Sequence, residues 1–241
     1  MNAVIIKDLT KKYGDIAVVN NLNLTIKQGE LFALLGVNGA GKTTIVKMLS
    51  CLIKPTSGDA FLLGDSIISD AHSIKEKTNI SPQETAVAEN LSVLENLEFI
   101  AGIYGQDSKK ANKNALDIAK NFGLEGELNR KPKNLSGGMQ RRLSIAMALI
   151  SKPEILFLDE PTLGLDVLAR RELWSFIKSL KGKVTIILTT HYMDEVENLS
   201  DRVGIMSKGQ LTAVGTVEEL TSRTDTSKLE DAFVLLSGGV L

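Results

Sequence analysis

Gly36-Val37-Asn38-Gly39-Ala40-Gly41-Lys42-Thr43-Thr44 is the stretch that decides how this chain is read. It follows an apolar run of strand length, Leu31-Phe32-Ala33-Leu34-Leu35, and precedes Ile45, Val46, Met48, Leu49 and Leu52, which recur at helical spacing. A strand, a glycine-rich turn and a helix opening on Lys-Thr is the context in which such a turn cradles phosphate. The glycines let successive backbone N–H groups face one concavity, and the helix N-terminus adds the positive end of its dipole. Lys42 can reach outer phosphates, and Thr43 can offer its hydroxyl to a magnesium ion. Gly36, Asn38, Gly39, Ala40, Gly41, Lys42, Thr43 and Thr44 are the candidate phosphate-binding positions.

The chain has 241 residues, enough for one large α/β domain or one domain carrying an inserted subdomain. Its formal net charge of -1 gives no electrostatic case for nucleic acid as a partner. Cys51 is the single cysteine; it sits among apolar residues, which predicts a buried, inert thiol and suits a reducing cytoplasm. The longest apolar runs, Leu31 to Leu35, Ile155 to Leu158 and Val184 to Leu188, have strand length, short of the roughly 18 residues a membrane span needs. No signal peptide is expected at the N-terminus. A role at a membrane would therefore need another chain to span it.

Outward from the loop, Val4-Ile5-Ile6 starts a strand expected to end near Leu9, followed by a polar turn over Lys11 to Asp15. Leu22, Leu24 and Ile26 alternate with polar residues, as in a half-buried strand, and Ala60 to Leu63 reads as another. A short helix and strand over Ile74 to Ser81 lead into Pro82-Gln83. From about residue 85 to 150 the pattern turns helical, with Val93, Leu94, Leu97, Ile100 and Ala101 and then Ala115, Ile118, Ala119 and Phe122 at helical spacing. Leu135-Ser136-Gly137-Gly138-Met139-Gln140 opens a helix expected over Arg141 to Ser151. Ile155 to Leu158 is a buried strand ending in Asp159-Glu160, and Val167 to Leu180 is a helix with Leu168, Leu173, Phe176, Ile177 and Leu180 as its core face. Val184 to Thr189 reads as an internal parallel strand, with His191 directly after it. Lys208-Gly209 turns a hairpin, Thr221 to Ser227 is a polar linker, and Leu229 to Leu236 is a closing helix. The expected fold is α/β: a phosphate-loop core with a mixed, largely parallel sheet, antiparallel β-strands near the N-terminus, and an inserted helical subdomain. The core is assigned to 1–84 and 151–220, the helical subdomain to 85–150, and the linker with its helix to 221–241.

Taken in order, the phosphate loop, Gln83, Leu135-Ser136-Gly137-Gly138, Asp159-Glu160-Pro161-Thr162, Asp166 and His191 resemble the ATP-binding subunit of ABC transporters. The resemblance runs from Tyr13 to about Leu220. It implies ATP and Mg2+ as ligands, and catalytic roles for Glu160, His191, Lys42 and Gln83. Glu160 would polarise the attacking water, His191 would contact the γ-phosphate and hold Glu160 in place, and Gln83 would sense magnesium and water. Asp159 would hold magnesium through water, alongside Thr43 and Gln83. Tyr13 matches an aromatic that stacks on adenine.

Ser136, Gly137 and Gly138 open a helix, so their N–H groups and the hydroxyl form a second anion site. A plain N-cap would explain the serine but not both glycines. In the family two subunits face head to tail and each signature caps the other's nucleotide; Asp166, in Gly164-Leu165-Asp166, would communicate across that interface. Met139 departs from the glutamine usual there, and Leu163 from serine or asparagine. The resemblance thus implies an ATPase that pairs around two MgATP and drives transport through a separate membrane-spanning partner docked near residues 84–104, placing it on the inner face of the cell membrane. The loop wording, Leu163 to Asp166 and the short tail are most similar to drug, antibiotic-peptide or lipid-conjugate exporter subunits. The competing expectation is an ABC ATPase acting on ribosomes or DNA, but the chain has no second cassette, coiled-coil run or basic excess.

Overall fold

A computed structural model of the chain describes residues 1–240. In chain order the strands are β1 (Asn2–Tyr13), β2 (Ile16–Lys27), β3 (Leu31–Gly36), β4 (Ser57–Leu62), β5 (Asp65–Ser66), β6 (Thr78–Ser81), β7 (Ile155–Asp159), β8 (Thr185–Thr190), β9 (Arg202–Ser207) and β10 (Gln210–Gly215). The helices are α1 (Lys42–Leu49), α2 (Ala71–Lys77), α3 (Val93–Ile103), α4 (Ser108–Asn121), α5 (Gly137–Leu149), α6 (Val167–Leu180), α7 (Met193–Leu199), α8 (Val217–Arg223) and α9 (Leu229–Leu236).

Two sheets form. One is antiparallel, in the order β2-β1-β4-β5; the other has the order β10-β9-β3-β8-β7-β6, parallel except for β10. The central strands read as continuous apolar runs because both of their faces are covered. On β3, Phe32 and Leu34 point into a core shared with α1 and the antiparallel sheet, whereas Leu31 faces the helices α3 to α6. Ala33 and Leu35 pack with α7, α8 and α9. The expected α/β architecture with antiparallel strands before a parallel core is what forms.

Several local expectations need correcting. β1 runs to Tyr13 rather than Leu9, because it pairs with β2 through Tyr13↔Ile16 and leaves only Gly14-Asp15 to turn the chain. α5 begins at Gly137, four residues before Arg141, because the Ser136 hydroxyl caps it by accepting from the Met139 N–H at 3.3 Å. Leu168 is 74% exposed and does not serve the α6 core, where Trp174 does instead. The linker expected over Thr221 to Ser227 overlaps α8, which crosses the boundary drawn at 220/221. Its start carries a capping box, Thr216 with Glu219, a pattern visible in the sequence. Cys51 is only partly buried, with a left-handed backbone at φ +56°, and burial raises its thiol above the ordinary value. Leu241, the last residue of the 221–241 segment, lies outside the described residues.

Candidate active site

The parallel strands deliver the site. Adjacent strands lie about 4.8 Å apart, and in the order β3, β8, β7, β6 their carboxyl ends lead into the glycine-rich loop, His191, Asp159-Glu160 and Gln83. Register keeps these ends level: Leu35 pairs with Thr190, Asp159 with Thr189, and Leu158 with Ser81. Ligands of open α/β sheets bind in this crevice beyond the carboxyl edge.

A cavity of about 320 Å³ opens there, walled by Asn38 to Thr44, Gln83, Glu160 and His191. The loop depends on glycine at two positions. Gly41 has φ +103°, and a Cβ there would stand 2.6 Å from the Val18 carbonyl. Gly36 lies under Met206, whose carbonyl would meet a Cβ at 2.6 Å. Lys42 is buried, and its Nζ donates to the Gly36 carbonyl at 2.7 Å.

The charged groups form one chain. Lys42 Nζ lies 3.2 Å from Glu160 Oε1, and His191 Nδ1 lies 2.8 Å from Glu160 Oε2. The imidazole stacks obliquely on Tyr192, with ring centroids 4.1 Å apart. Thr43 Oγ1 donates to Asp159 Oδ1 at 3.1 Å, and the Thr189 hydroxyl donates to the same oxygen. Glu160 adopts φ +47°, a left-handed conformation costly for a residue with a side chain. Its N–H is held by both the carbonyl and the hydroxyl of Thr189, each at 3.1 Å.

Hard-oxygen donors at the buried Asp159 and the partly buried Thr43, with Gln83 on the same cavity wall, fit a magnesium ion. Among the described residues no group of three or more His, Cys, Asp or Glu could hold a metal by itself. Such an ion would complete its shell with water and phosphate oxygens.

Not every candidate meets here. Tyr13 is half exposed and does not wall the cavity; Lys11 Nζ sits 5.2 Å from its ring centroid. Ser136, Gly137, Gly138 and Asp166 are also absent from the wall. Ser136 caps α5, and Asp166 caps α6 by accepting from the Ala169 N–H at 2.9 Å. Two wall residues, Val18 and Leu163, were not singled out for this position; a lone valine on an early strand carries no sequence signal. Arg141 was missed as well. It is buried among backbone carbonyls beside Gln83 and Asp159, and only the position of α5 reveals it.

A parallel sheet whose carboxyl edge feeds a phosphate loop, an acidic strand end and a histidine defines a nucleoside-triphosphatase of the phosphate-loop class. Within that class the chain belongs to the ABC transporter family, whose domain model matches residues 19–163. It is 39% identical over 236 residues to the probable multidrug ABC transporter ATP-binding protein YbhF of Escherichia coli, covering 95% of this chain and 41% of that protein. It is 35% identical over 229 residues to the daunorubicin resistance ATP-binding protein DrrA3 of Streptomyces coeruleorubidus, covering 95% of this chain and 72% of that one. The chain thus spans less than half the length of YbhF. A solved structure of the ATP-binding cassette MJ0796, a dimer bound to ADP and Pi, superposes with a TM-score of 0.80 at 29% identity, over 89% of this chain and 98% of that one.

Proposed function

We propose that this chain is the ATP-hydrolysing subunit of an exporter, pairing with a second cassette around two MgATP and acting through a separate membrane-spanning partner. The observation that carries this is the chain Lys42–Glu160–His191, which runs from the glycine-rich loop's lysine through the buried Glu160 to His191 on the wall of the same cavity. The loop N–H groups and Lys42 bind the phosphates. Thr43 and Asp159 hold magnesium, which when bound neutralises charge on the phosphate oxygens. Glu160 orients and polarises the attacking water, His191 fixes Glu160 through Nδ1, and Gln83 faces the same space. The purine has a platform outside the cavity. Tyr13 is exposed at the end of β1 and pairs with Ile16 on β2, the strand that also carries the wall residue Val18.

Pairing is supported by the second anion cradle. The helix start at Ser136 and Gly137 is exposed and lies away from the chain's own phosphate loop. Leu163, Val167 and Leu168 are exposed around Asp166, an apolar patch suited to contact. The MJ0796 cassette is itself a dimer. Among the described residues no helix is long and apolar enough to cross a membrane, so a spanning partner is assigned to another chain. Its docking surface is placed on the groove beside residues 84–104, where Ala86, Ile100, Ile103, Tyr104 and Met147 line a cavity of about 240 Å³. Docking there sets the chain on the cytoplasmic face of the membrane. Export of a drug-like cargo is supported by the names of YbhF, a probable multidrug ABC transporter ATP-binding protein, and DrrA3, a daunorubicin resistance ATP-binding protein.

The experiment is a Glu160→Gln variant. ATP turnover should fall by about 10²- to 10³-fold, while ATP still binds and drives the chain into a stable pair. Turnover within a few-fold of the parent would remove Glu160 from the reaction. A strictly monomeric variant at saturating MgATP would remove the paired mechanism.

A further inference from the structure

Arg141 lies on the second turn of α5 and is 4% exposed. Its hydrogen bonds all end on backbone carbonyls. Nε donates to Pro161 at 2.8 Å, Nη2 to Asp159 at 2.8 Å, and Nη1 to Gln83 at 3.3 Å and, more closely, to Pro82. The backbone ladder between β6 and β7 reaches only to Ser81 and Leu158. Beyond that pair the guanidinium takes over as the bridge, at the point where Gln83 and Glu160 follow. Only a planar fork of donors can hold four carbonyls on two segments at once. The charge persists: burial lowers the group to about 10, and the nearby carboxylates of Asp159, Glu195 and Glu160 counteract that fall. A buried cation that only filled space would be replaceable by an apolar side chain at no loss.

We propose that Arg141 is a positioning residue that ties the signature turn at Ser136 to Gly138 to Gln83 and Glu160 of the same chain. Capture of the neighbour's nucleotide by the signature is thereby communicated to that chain's own catalytic groups. This rests on the two-cassette arrangement proposed above. The connection is short and stiff: Arg141 is five residues from the Ser136 cap, about 7.5 Å along one helix. If α5 tilts, the four carbonyls must follow, since breaking away would strand a desolvated charge.

The test uses mixed pairs of the full chain in which one subunit carries Glu160→Gln, leaving a single working site. Arg141→Gln is placed either in the subunit whose Glu160 works or in the other one. In the first placement kcat should fall at least about tenfold with KM for ATP within about twofold. In the second, kcat should stay within about twofold of the pair without the change. Equal losses in both placements, or a loss confined to the second, would mean that Arg141 merely shapes the signature surface, and the proposal would be wrong. Arg141→Lys, which keeps the charge without the fork, should reproduce the one-sided loss and serves if the glutamine variant does not fold. If thermal melting shows neither variant folded at the assay temperature, the residue is structural and the proposal falls. A parent pair that never associates with MgATP overturns the two-cassette arrangement instead, and the proposal with it.

Discussion

Glu160 shows how a single residue can be strained in place. Its φ of +47° costs about 1–2 kcal/mol relative to an ordinary conformation, and the two bonds from its N–H to Thr189 help hold it there. That twist lets consecutive residues serve different tasks: Asp159 lies against Thr43, and Glu160 lies between Lys42 and His191. Glu195 is a second buried carboxyl and supports a pH prediction. It accepts from the Trp174 indole at 3.2 Å, and burial raises it above its ordinary 4.5. The folded chain therefore keeps this proton at pH values where the unfolded chain has released it. The stability it contributes is full below the unfolded pKa and is lost as pH rises through the raised folded value. Glu195→Gln should flatten that slope and improve stability at alkaline relative to acidic pH, read from urea unfolding midpoints across pH 4 to 9. An unchanged slope would show that Glu195 is not the group responsible.

At the scale of elements, the strand–loop–helix unit β3–α1 depends on backbone shape more than on side chains. Gly41 and Gly39 both have positive φ, at +103° and +83°, but only Gly41 is crowded, by the Val18 carbonyl. Gly41→Ala should therefore cost about 1–3 kcal/mol and abolish ATP binding, because the loop must move away from β2. Gly39→Ala meets open space and should cost about 1 kcal/mol, with binding weakened rather than lost. Thermal melting and nucleotide titration of the two variants check this; equal effects would refute the crowding account. The strand β7 depends on packing instead. Phe157 is fully buried between β7 and the α1 side of the sheet, so Phe157→Ala should cost about 3–5 kcal/mol in chemical denaturation, though the residue lies outside the cavity wall.

For the whole molecule the proposed pairing rests on two proposed anion cradles, the phosphate loop and the exposed start of α5, which is absent from the cavity wall. A ligand that meets both only when two copies associate favours the associated state through differential affinity. Gly137 offers a clean probe, since a Cβ there would meet only Leu165 Cδ2, at 4.0 Å. Gly137→Asp should leave the melting temperature and ATP binding by the single chain near parent values. It should weaken ATP-driven pairing in a Glu160→Gln background at least tenfold, about 1.4 kcal/mol or more, by setting a carboxylate against phosphate. Light scattering at saturating MgATP measures this; pairing at parent strength would place the second cradle outside the interface.

The phosphate loop could be read from the sequence because its chemistry is local: strand, glycines, lysine and helix are consecutive, and backbone geometry does the binding. The parallel internal strand before His191, the hairpin at Lys208-Gly209 and the closing helix were likewise written in short-range pattern. Periodicity could not show that β1 and β2 extend as a paired ribbon or that Leu168 faces outward, because partners distant in the chain settle those points. Nor could it show Lys42, Glu160 and His191 in contact, since 118 and 31 residues separate successive members; the order β3-β8-β7 and its level register bring them together. Arg141 marks the limit most plainly. Its identity says only that a cation stands in a helix, and its burial among four carbonyls exists only once α5 packs over the ends of β6 and β7.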